Sequence, residues 1–431
     1  MKTHGTIHLL TTGRLLALAM LLTILLTTLA SCAPAPVSSP VTAAPETAPV
    51  GTALSSTGQA MEKAETAISE TSPAEIEVTS PGYGLEGPRL VVQLPDNSIV
   101  FVSLDGQQAP IAAEAPKGLF ATGFGRHAMQ DGPMIYARSA WVQPDYYVID
   151  TLSGKVLPLE FIPPATNSLA VRSLADSIEP VDPPASLAWG TLNGEGTPST
   201  SLHVTAPDGT DFPLGEEVSD VTSKPLEEFA FVPLRWGLDG NLYYSRMPLG
   251  IGGYIPYVTF SDLWRYDLTS GENTQLVPSP GPGRVCLDEL SADARLLAST
   301  CEIGEIQVLD LRSDERTTIR LPEGLGDAQP GSVRFSPGGD RLVYGMYIWV
   351  GPPDETSTAV AISDGLSGAS TVIAESDMPG FFAPLAWLDE ETILVHFNPA
   401  DDSAPASLWK LKADGSEFTP IVEGGFLGVL E

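Results

Sequence analysis

The chain is short of basic residues: its 431 positions include 22 lysines and arginines against 54 aspartates and glutamates, giving a formal net charge of −32. A nucleic-acid-binding protein needs a basic face for the phosphate backbone, so nucleic acid is excluded as a partner. Aromatic residues make up only 7% of the chain. Apolar residues nevertheless reach 43%, so a wholly disordered chain is excluded too.

Metal ligands and nucleophiles are also scarce. The five histidines and three cysteines show no zinc-site spacing, and the chain has no Gly-x-Ser-x-Gly elbow, phosphate-binding loop or dinucleotide-binding glycine pattern. The sequence therefore predicts no catalytic residue, no metal site and no cofactor. His127 stands where comparable segments carry Trp236 and Trp387 at a strand end, so we expect it to pack as an inner-strand residue.

One segment alone is strongly apolar. Residues 15–30 follow the charges of Lys2 and Arg14 and are too few for a membrane-spanning helix, which needs about 20 residues. A basic start, a short apolar core and small residues at its end are typical of a secretory signal peptide. The pattern predicts a signal peptide over residues 1–31.

The residues Leu29-Ala30-Ser31-Cys32 resemble the bacterial lipobox, in which the cysteine becomes the acylated first residue of the mature protein. The resemblance implies a lipoprotein anchored through Cys32 to the cell membrane or outer envelope, facing the extracytoplasmic side. Acyl chains are needed because anionic headgroups repel so acidic a chain. An uncleaved anchor with an incidental cysteine is the alternative.

The segment that follows contains no aromatic residue. Residues 33–82 include 10 alanines, 7 prolines, 7 serines and 7 threonines. Such a segment cannot bury enough surface to offset the entropy of ordering. We therefore expect a lipid-anchored flexible linker over residues 32–86 and a folded domain over residues 87–431.

Glycine and proline, 41 and 39 residues, interrupt the chain too often for long helices, and the folded domain is built on a repeat. Seven times a short β-rich run, a turn and a second β-rich run recur, with the turns 43 to 62 residues apart. Glycine or aspartate, which tolerate a positive φ, stands at every turn: Gly106, Gly154, Gly209, Gly271, Asp314, Gly368 and Gly415.

A second hairpin precedes most of these turns, with its clearest copies at residues 235–246, 289–300 and 334–345. Two hairpins give four strands per repeat, and a four-stranded unit of 40 to 50 residues is typical of a β-propeller blade. The sequence predicts an all-β propeller of seven four-stranded blades, with six or eight as alternatives.

Two motifs resemble the WD-type propeller repeats of the TolB family of periplasmic proteins. They are Phe335-Ser336-Pro337-Gly338-Gly339 and Tyr266-Asp267-Leu268-Thr269-Ser270-Gly271. The resemblance covers residues 87–431 and implies a propeller. The α/β domain that precedes the propeller in TolB has no counterpart here, so TolB-specific partners do not carry over.

The first repeat lacks an inner strand, whereas the chain ends in the apolar residues 426–430. We expect this C-terminal run to complete blade one and close the ring, which removes an unpaired sheet edge. Residues 75–78 are the alternative donor of that strand.

Cys286 and Cys301 flank the hairpin over residues 287–300. A turn centred between Asp293 and Ala294 places the two cysteines opposite each other. Opposed strand positions lie close enough for a disulfide after a small local twist, and an extracytoplasmic compartment permits oxidation. We predict a disulfide, and two buried free thiols are the alternative.

Variable loops on the face opposite the tight turns carry aromatic residues, and such loops commonly bind ligands. The candidate ligand-face aromatics are Trp141, Tyr146, Tyr254, Tyr257, Tyr347 and Trp349. The sequence favours a lipid-anchored binding or scaffold module for an envelope protein or glycan. The alternative is an extracellular hydrolase acting on glycans or peptides at the propeller mouth. A carboxylate pair in the channel would favour that enzyme.

Overall fold

The computed structural model describes residues 87–123, 127–140, 144–160, 162, 166–172, 187–193, 199–205, 210–218, 229–248, 257–281, 284–302, 304–325, 328–349, 356–376, 378–400 and 405–430. The predictions for the signal peptide, Cys32, the linker and the alternative strand over residues 75–78 lie outside these residues. No helix among the described residues has the length and apolarity to cross a membrane.

The chain forms a seven-bladed β-propeller, as predicted, with every blade an antiparallel sheet. Blade one has β1 (Arg89–Gln93), β2 (Ile99–Val102) and β3 (Gln108–Ala112). Blade two has β4 (Phe120–Ala121), β5 (Met129–Asp131), β6 (Met134–Arg138), β7 (Tyr146–Asp150) and β8 (Lys155–Pro158). Blade three has β9 (Thr166–Val171), β10 (Leu187–Asn193), β11 (Ser199–Thr205) and β12 (Asp211–Val218). Blade four has β13 (Phe229–Trp236), β14 (Leu242–Pro248), β15 (Leu263–Tyr266) and β16 (Asn273–Val277).

The remaining blades follow the same order from the channel outwards. Blade five has β17 (Leu287–Leu290), β18 (Leu296–Ser299), β19 (Glu305–Asp310) and β20 (Arg316–Arg320). Blade six has β21 (Gln329–Phe335), β22 (Leu342–Trp349), β23 (Thr356–Ser363) and β24 (Ser370–Ser376). Blade seven has β25 (Gly380–Trp387), β26 (Thr392–Pro399), β27 (Ser407–Lys412) and β28 (Phe418–Glu423). The last strand, β29 (Gly425–Leu430), belongs to blade one.

The two termini of the described chain close the ring. Strand β29 is the inner strand of blade one and pairs antiparallel with β1, from Arg89 opposite Leu430 to Gln93 opposite Gly425. The side chain of Phe426 is 5% exposed, so β29 is part of the core. This confirms the predicted closure, and it leaves no inner strand edge unpaired in blade one.

The tight turns have the backbone conformation that their residues predict. Gly154 has a φ of +70°, and a Cβ at this position would lie 2.2 Å from the carbonyl oxygen of Ile111. Asp314, the exception among the glycines, has a φ of +57°. Aspartate tolerates this left-handed region better than most residues, so the repeat keeps its turn without glycine.

The hydrophobic core is divided among the blade interfaces. The buried apolar residues that the structure describes form seven clusters, and each cluster joins neighbouring blades around the ring. Phe101 of blade one packs with Ile135 of blade two, for example, and Phe231 of blade four packs with Val204 of blade three. Each blade is therefore stabilised by its neighbours, and the closed ring leaves no blade with an open face.

Candidate functional site

The described residues surround a cavity of about 450 Å³ at one end of the central channel. At this end, which we call the turn end, the inner strands run into the tight turns to the second strands. Trp236, Leu290 and Trp387 are the last or near-last residues of three of these strands, and all line the cavity. The volume lies within the range of small-molecule sites in proteins.

An interruption in blade two brings His127 to the cavity. The inner edge of this blade is split into β4 and β5, which both pair with β6. Between them the amide of Gly123 donates a hydrogen bond to the carbonyl oxygen of His127 at 3.1 Å, and a Cβ on Gly123 would lie 2.6 Å from that oxygen. His127 thus precedes β5 instead of lying within a continuous strand, and its side chain lines the cavity.

Glu289, on β17, connects three blades beside the cavity. Its Oε2 atom lies 2.8 Å from Nε2 of His127 and 3.3 Å from an Nη1 atom of Arg334. Burial alone would raise the pKa of Glu289, but the charges of His127 and Arg334 outweigh it and hold the pKa below its ordinary value. Burial lowers the pKa of His127, with Glu289 opposing the shift. Glu289 is therefore ionised at neutral pH.

Arg334 is held in place by main-chain oxygens as well as by Glu289. Its Nε donates to the carbonyl oxygen of Leu385 at 2.9 Å, and its Nη1 donates to that of Val333 at 2.7 Å. The side chain is only 6% exposed. These bonds fix the guanidinium against Glu289, which is what a buried pair of charges requires to remain ionised.

Asp288 is the extra residue of a β-bulge. The pairing of β17 with β18 shifts by one residue between Leu287 and Glu289, and strand bulges commonly re-aim side chains in this way. Its Oδ1 accepts a hydrogen bond from the amide of Val333 at 2.8 Å. Burial raises the pKa of Asp288 to about 7, although Arg334 and the main-chain bonds oppose the shift. Among the described residues, Oδ2 of Asp288 has no hydrogen-bond partner.

Two further arginines line the cavity. Nη1 of Arg235 donates to the carbonyl oxygen of Leu290 at 2.7 Å, and burial lowers the pKa of this guanidinium. The guanidinium of Arg172 lies 5.6 Å from the ring centre of Trp236, within the range of a cation–π contact. The cavity therefore combines cationic groups with aromatic walls.

The opposite end of the channel, the loop end, holds a segment of blade four, residues 257–262, which we call the arm. The amide of Phe260 donates to the carbonyl oxygen of Leu287 at 2.7 Å, and the amide of Leu287 donates back at 2.9 Å. The arm is thereby fixed to blade five, and Phe260 forms part of the cavity wall.

Tyr257 extends from the arm to blades six and seven. Its hydroxyl donates to the carbonyl oxygen of Phe382 at 3.2 Å, and its ring meets Phe381 edge-on at 5.5 Å. A Cβ on Gly331 would lie 2.4 Å from this ring, and one on Gly345 would lie 2.7 Å from its hydroxyl. The two glycines therefore form the slot that admits the tyrosine.

Two of the predicted ligand-face aromatics are buried in the core. Tyr146 is 3% exposed and packs into the interface of blades two and three, because the inner side of β7 faces that core. Tyr257 is likewise 3% exposed, because it fills the glycine slot. Tyr347 is half-buried on β22, and Trp349 ends that strand. Trp141 and Tyr254 lie outside the described residues.

Cys286 and Cys301 are joined by a disulfide, with Cα atoms 4.9 Å apart. They are not directly opposed as the turn position suggests. The bulge at Asp288 shifts the register by one, so the amide of Thr300 donates to the carbonyl oxygen of Cys286 at 2.8 Å. The disulfide therefore joins Cys286 to Cys301, which is the residue after Thr300, the direct cross-strand partner of Cys286.

The cavity residues had a signal in the sequence that we did not use. Asp288 and Glu289 are adjacent carboxylates inside an apolar inner strand, and Arg235 and Arg334 each precede the aromatic residue at an inner-strand end. Charged residues at positions that a repeat otherwise keeps apolar point to a site. Among the ionisable residues of the cavity, the sequence singled out only His127, and that residue was expected only to pack. No group of three or more potential metal ligands occurs in the described part of the chain.

No family model and no curated protein matches the chain. Solved structures are similar to it in fold. An oligogalacturonate lyase in complex with manganese has 12% identity and a TM-score of 0.49, over 78% of this chain and 84% of that chain. The oligogalacturonate lyase from Vibrio parahaemolyticus has 10% identity and a TM-score of 0.46, over 79% of this chain and 85% of that chain. TolB from Acinetobacter baumannii has 13% identity and a TM-score of 0.39, over 76% of this chain and 67% of that chain. Similarity at this level leaves function to be argued from the site.

Proposed function

We propose that this protein is a binding module whose ligand occupies the turn-end cavity. The observation that carries the proposal is a cavity of small-molecule size that is lined by both buried charged groups and tryptophans. Buried charges cost folding free energy unless they are fully paired. Asp288 retains an unpaired oxygen among the described residues, so its placement beside the cavity is better explained by ligand binding than by stability.

We also propose that the module works outside the cytoplasmic membrane, held there by acyl chains on Cys32. The support is the lipobox-like sequence that ends at Cys32. The Cys286–Cys301 disulfide agrees with this location, since disulfides persist in oxidising compartments.

The binding proposal is tested by closing the cavity mouth. Ala292 is an exposed residue on its rim, whereas Ala113 is an exposed residue after β3 that does not line the cavity. We would incubate the purified wild type, Ala292→Trp and Ala113→Trp proteins with the low-molecular-mass fraction of a cell-envelope extract. Bound compounds are then identified by ultrafiltration and mass spectrometry. We expect a compound enriched by the wild type and by Ala113→Trp but not by Ala292→Trp. Equal enrichment by all three proteins, or by none, would contradict the proposal.

A second candidate function is that of a hydrolase. Asp288 and Glu289 line the same cavity, and their pKa values shift in opposite directions, a pattern found in acid and base pairs of enzymes. Against this, Glu289 is already bonded to His127 and Arg334. If the enriched compound is instead consumed by the wild type and stays intact with Asp288→Asn, the protein is an enzyme.

A further inference from the structure

We propose that Ser201, His203 and Asp211 of blade three form a catalytic site in which Ser201 is the nucleophile for the hydrolysis of carboxylic esters. The site is independent of the proposed binding function, because none of its residues lines the turn-end cavity. The proposal follows from the strand register of blade three, from the direction of its side-chain hydrogen bonds, and from the ring that holds the histidine in place.

Strand register places the three side chains on one face of blade three. Ser201 and His203 are two residues apart on β11, so their side chains point to the same face. Asp211 begins β12 and pairs with Thr205, which lies two residues beyond His203. Because paired positions share a face, Asp211 is the diagonal neighbour of His203. A serine, a histidine and an aspartate are thereby brought together by two adjacent strands.

The hydrogen bonds of this cluster run in one direction. Nδ1 of His203 lies 2.8 Å from Oδ2 of Asp211, and Nε2 lies 2.8 Å from Oγ of Ser201. A carboxylate only accepts hydrogen bonds, so Nδ1 of the neutral ring carries the proton and Nε2 accepts from the hydroxyl of Ser201. The hydroxyl of Thr191, 2.6 Å from Oγ of Ser201, can donate to that oxygen in turn. The serine proton therefore faces a basic nitrogen, as nucleophilic catalysis requires.

Trp189 holds the imidazole in this position. Its ring lies parallel to that of His203 within 4°, with the ring centres 4.0 Å apart. Trp189 is itself buried in the cluster between blades two and three, and its Nε1 donates to Oγ1 of Thr205 at 2.9 Å. A base that is already oriented needs no rearrangement before it accepts a proton. The side chain of His203 is still 18% exposed, so a substrate can reach it from solvent.

The arrangement fits acyl transfer through the serine. Oγ of Ser201 bonds to the acyl carbon of the ester while its proton moves to Nε2 of His203. The bond between that carbon and the alcohol oxygen then breaks, and the alcohol leaves with the proton from His203. Water next attacks the acyl-serine and gives a proton to His203, which returns it to Oγ as the carboxylic acid is released. Asp211 is a positioning residue that stabilises the imidazolium formed in both steps.

The exposure of the aspartate favours esters over amides as substrates. Asp211 is 42% exposed, so water screens its charge and it supports the imidazolium less than a buried aspartate would. A weakly assisted serine displaces an alcohol more readily than an amine, because the alcohol is the better leaving group. We therefore expect an acceleration of about a hundredfold, at the lower end of what a positioned base contributes.

The test is the hydrolysis of p-nitrophenyl acetate by the purified protein. Ser201→Ala and His203→Gln should each lower kcat by about a hundredfold. The matched control is Ser153→Ala, which removes an exposed serine whose hydroxyl bonds to Asp150 instead of to a histidine, and it should keep the full rate. Asp288→Asn should also keep the full rate, which separates this site from a hydrolase in the turn-end cavity. Equal hydrolysis by the wild type and Ser201→Ala would overturn the proposal.

Asp211→Asn tests the positioning role. It should lower kcat by about tenfold and leave KM and the melting temperature unchanged, because this exposed side chain contacts the histidine and not the ester. A fall in KM and melting temperature together with kcat would make the contact merely structural.

Covalent labelling keeps the proposal testable even if Ser201→Ala fails to fold. A fluorophosphonate reacts with activated serines, and peptide mass spectrometry locates the adduct. We expect the adduct on Ser201 of the wild type and none at this position in His203→Gln. Labelling spread over other serines, with Ser201 no more reactive than Ser153, would overturn the proposal.

Discussion

The two ends of the channel are built from the same seven inner strands and have opposite contents. The loop end receives Tyr257, which fills a slot made by two glycines and bonds to blade seven. The turn end is left open and lined with charged groups, among them Asp288 with an unpaired oxygen in the described residues. The chain fills one end with its own side chain, which favours stability. At the other end it leaves buried charged groups beside an open cavity, which costs stability unless something pairs with them. The predictions below separate these two roles.

Removal of β29 should have the largest effect, because both ends depend on it. Strand β29 supplies the inner edge of blade one, and Phe426 and Val429 line the cavity. A chain that lacks residues 425–431 should aggregate or lose cooperative thermal unfolding, since β1 would be left with an open edge. The matched control lacks Glu431 alone. Unchanged melting of the shorter chain would show that β29 contributes nothing to closure.

The loop end should be the next most sensitive. Tyr257→Ala empties a filled slot, and the free energy of unfolding should fall by about 4 kcal/mol. Tyr257→Phe keeps the ring and loses only the hydrogen bond to Phe382, so the loss should be about 1 kcal/mol. Urea unfolding measures both. The half-buried Tyr347 provides the control Tyr347→Ala. Equal losses of unfolding free energy in Tyr257→Ala and Tyr347→Ala would show that the glycine slot has no special role in stability.

The disulfide should contribute a smaller amount. Cys286 and Cys301 close a loop of 15 residues, for which the chain-entropy model gives about 3 kcal/mol. The double variant Cys286→Ser, Cys301→Ser should unfold at a correspondingly lower urea concentration. Thiol titration of the denatured, unreduced wild type checks the bond itself. It should show no titratable thiol from this pair before reduction and two afterwards.

The turn end should gain stability when its carboxylate is neutralised. In the folded protein, Asp288 keeps its proton up to about pH 7, whereas an unfolded chain releases it near pH 4. Between these values the folded state binds more protons, so Asp288 lowers the free energy of unfolding as the pH rises. The free energy of unfolding of Asp288→Asn should therefore match that of the wild type near pH 4 and exceed it by on the order of 4 kcal/mol at pH 8. The exposed Asp364→Asn should show no such trend.

The lipid anchor should affect neither end of the channel. Cys32→Ser should move the protein from the membrane fraction to the soluble extracytoplasmic fraction. Its melting temperature should equal that of the wild type, because Cys32 precedes the first propeller strand, β1, by more than fifty residues. A processed Cys32→Ser protein that stays in the membrane fraction would contradict the lipobox interpretation.

The repeat predicted most of the fold and little of the site. Turn residues such as Gly106 and Asp314 are dictated by local backbone conformation, so they can be read from one sequence. The missing inner strand of blade one and the apolar C terminus likewise predicted the closure by β29.

The site depends on contacts between residues that are far apart in sequence. His127 and Glu289 are 162 positions apart, and only ring closure brings them within 2.8 Å. The bulge that makes Asp288 face the cavity is a one-residue shift in pairing that no repeat motif records. For the same reason Tyr257 was expected on a ligand face although it is buried: a tyrosine in a loop carries no sign that glycines of another blade have left room for it.

The closure of blade one also determines how the propeller responds to mechanical force. The chain enters at Gly87 and reaches β1 at Arg89, which pairs with Leu430 at the very end of β29. A pull along the preceding chain therefore loads one end of an antiparallel ladder, and its hydrogen bonds break one after another instead of sharing the load. The pairing is also irregular between Val91 and Val92, only two residues further on. Under tension, blade one should thus open at low force, one hydrogen bond after another. The other six blades should bear no load until β1 and β29 have separated.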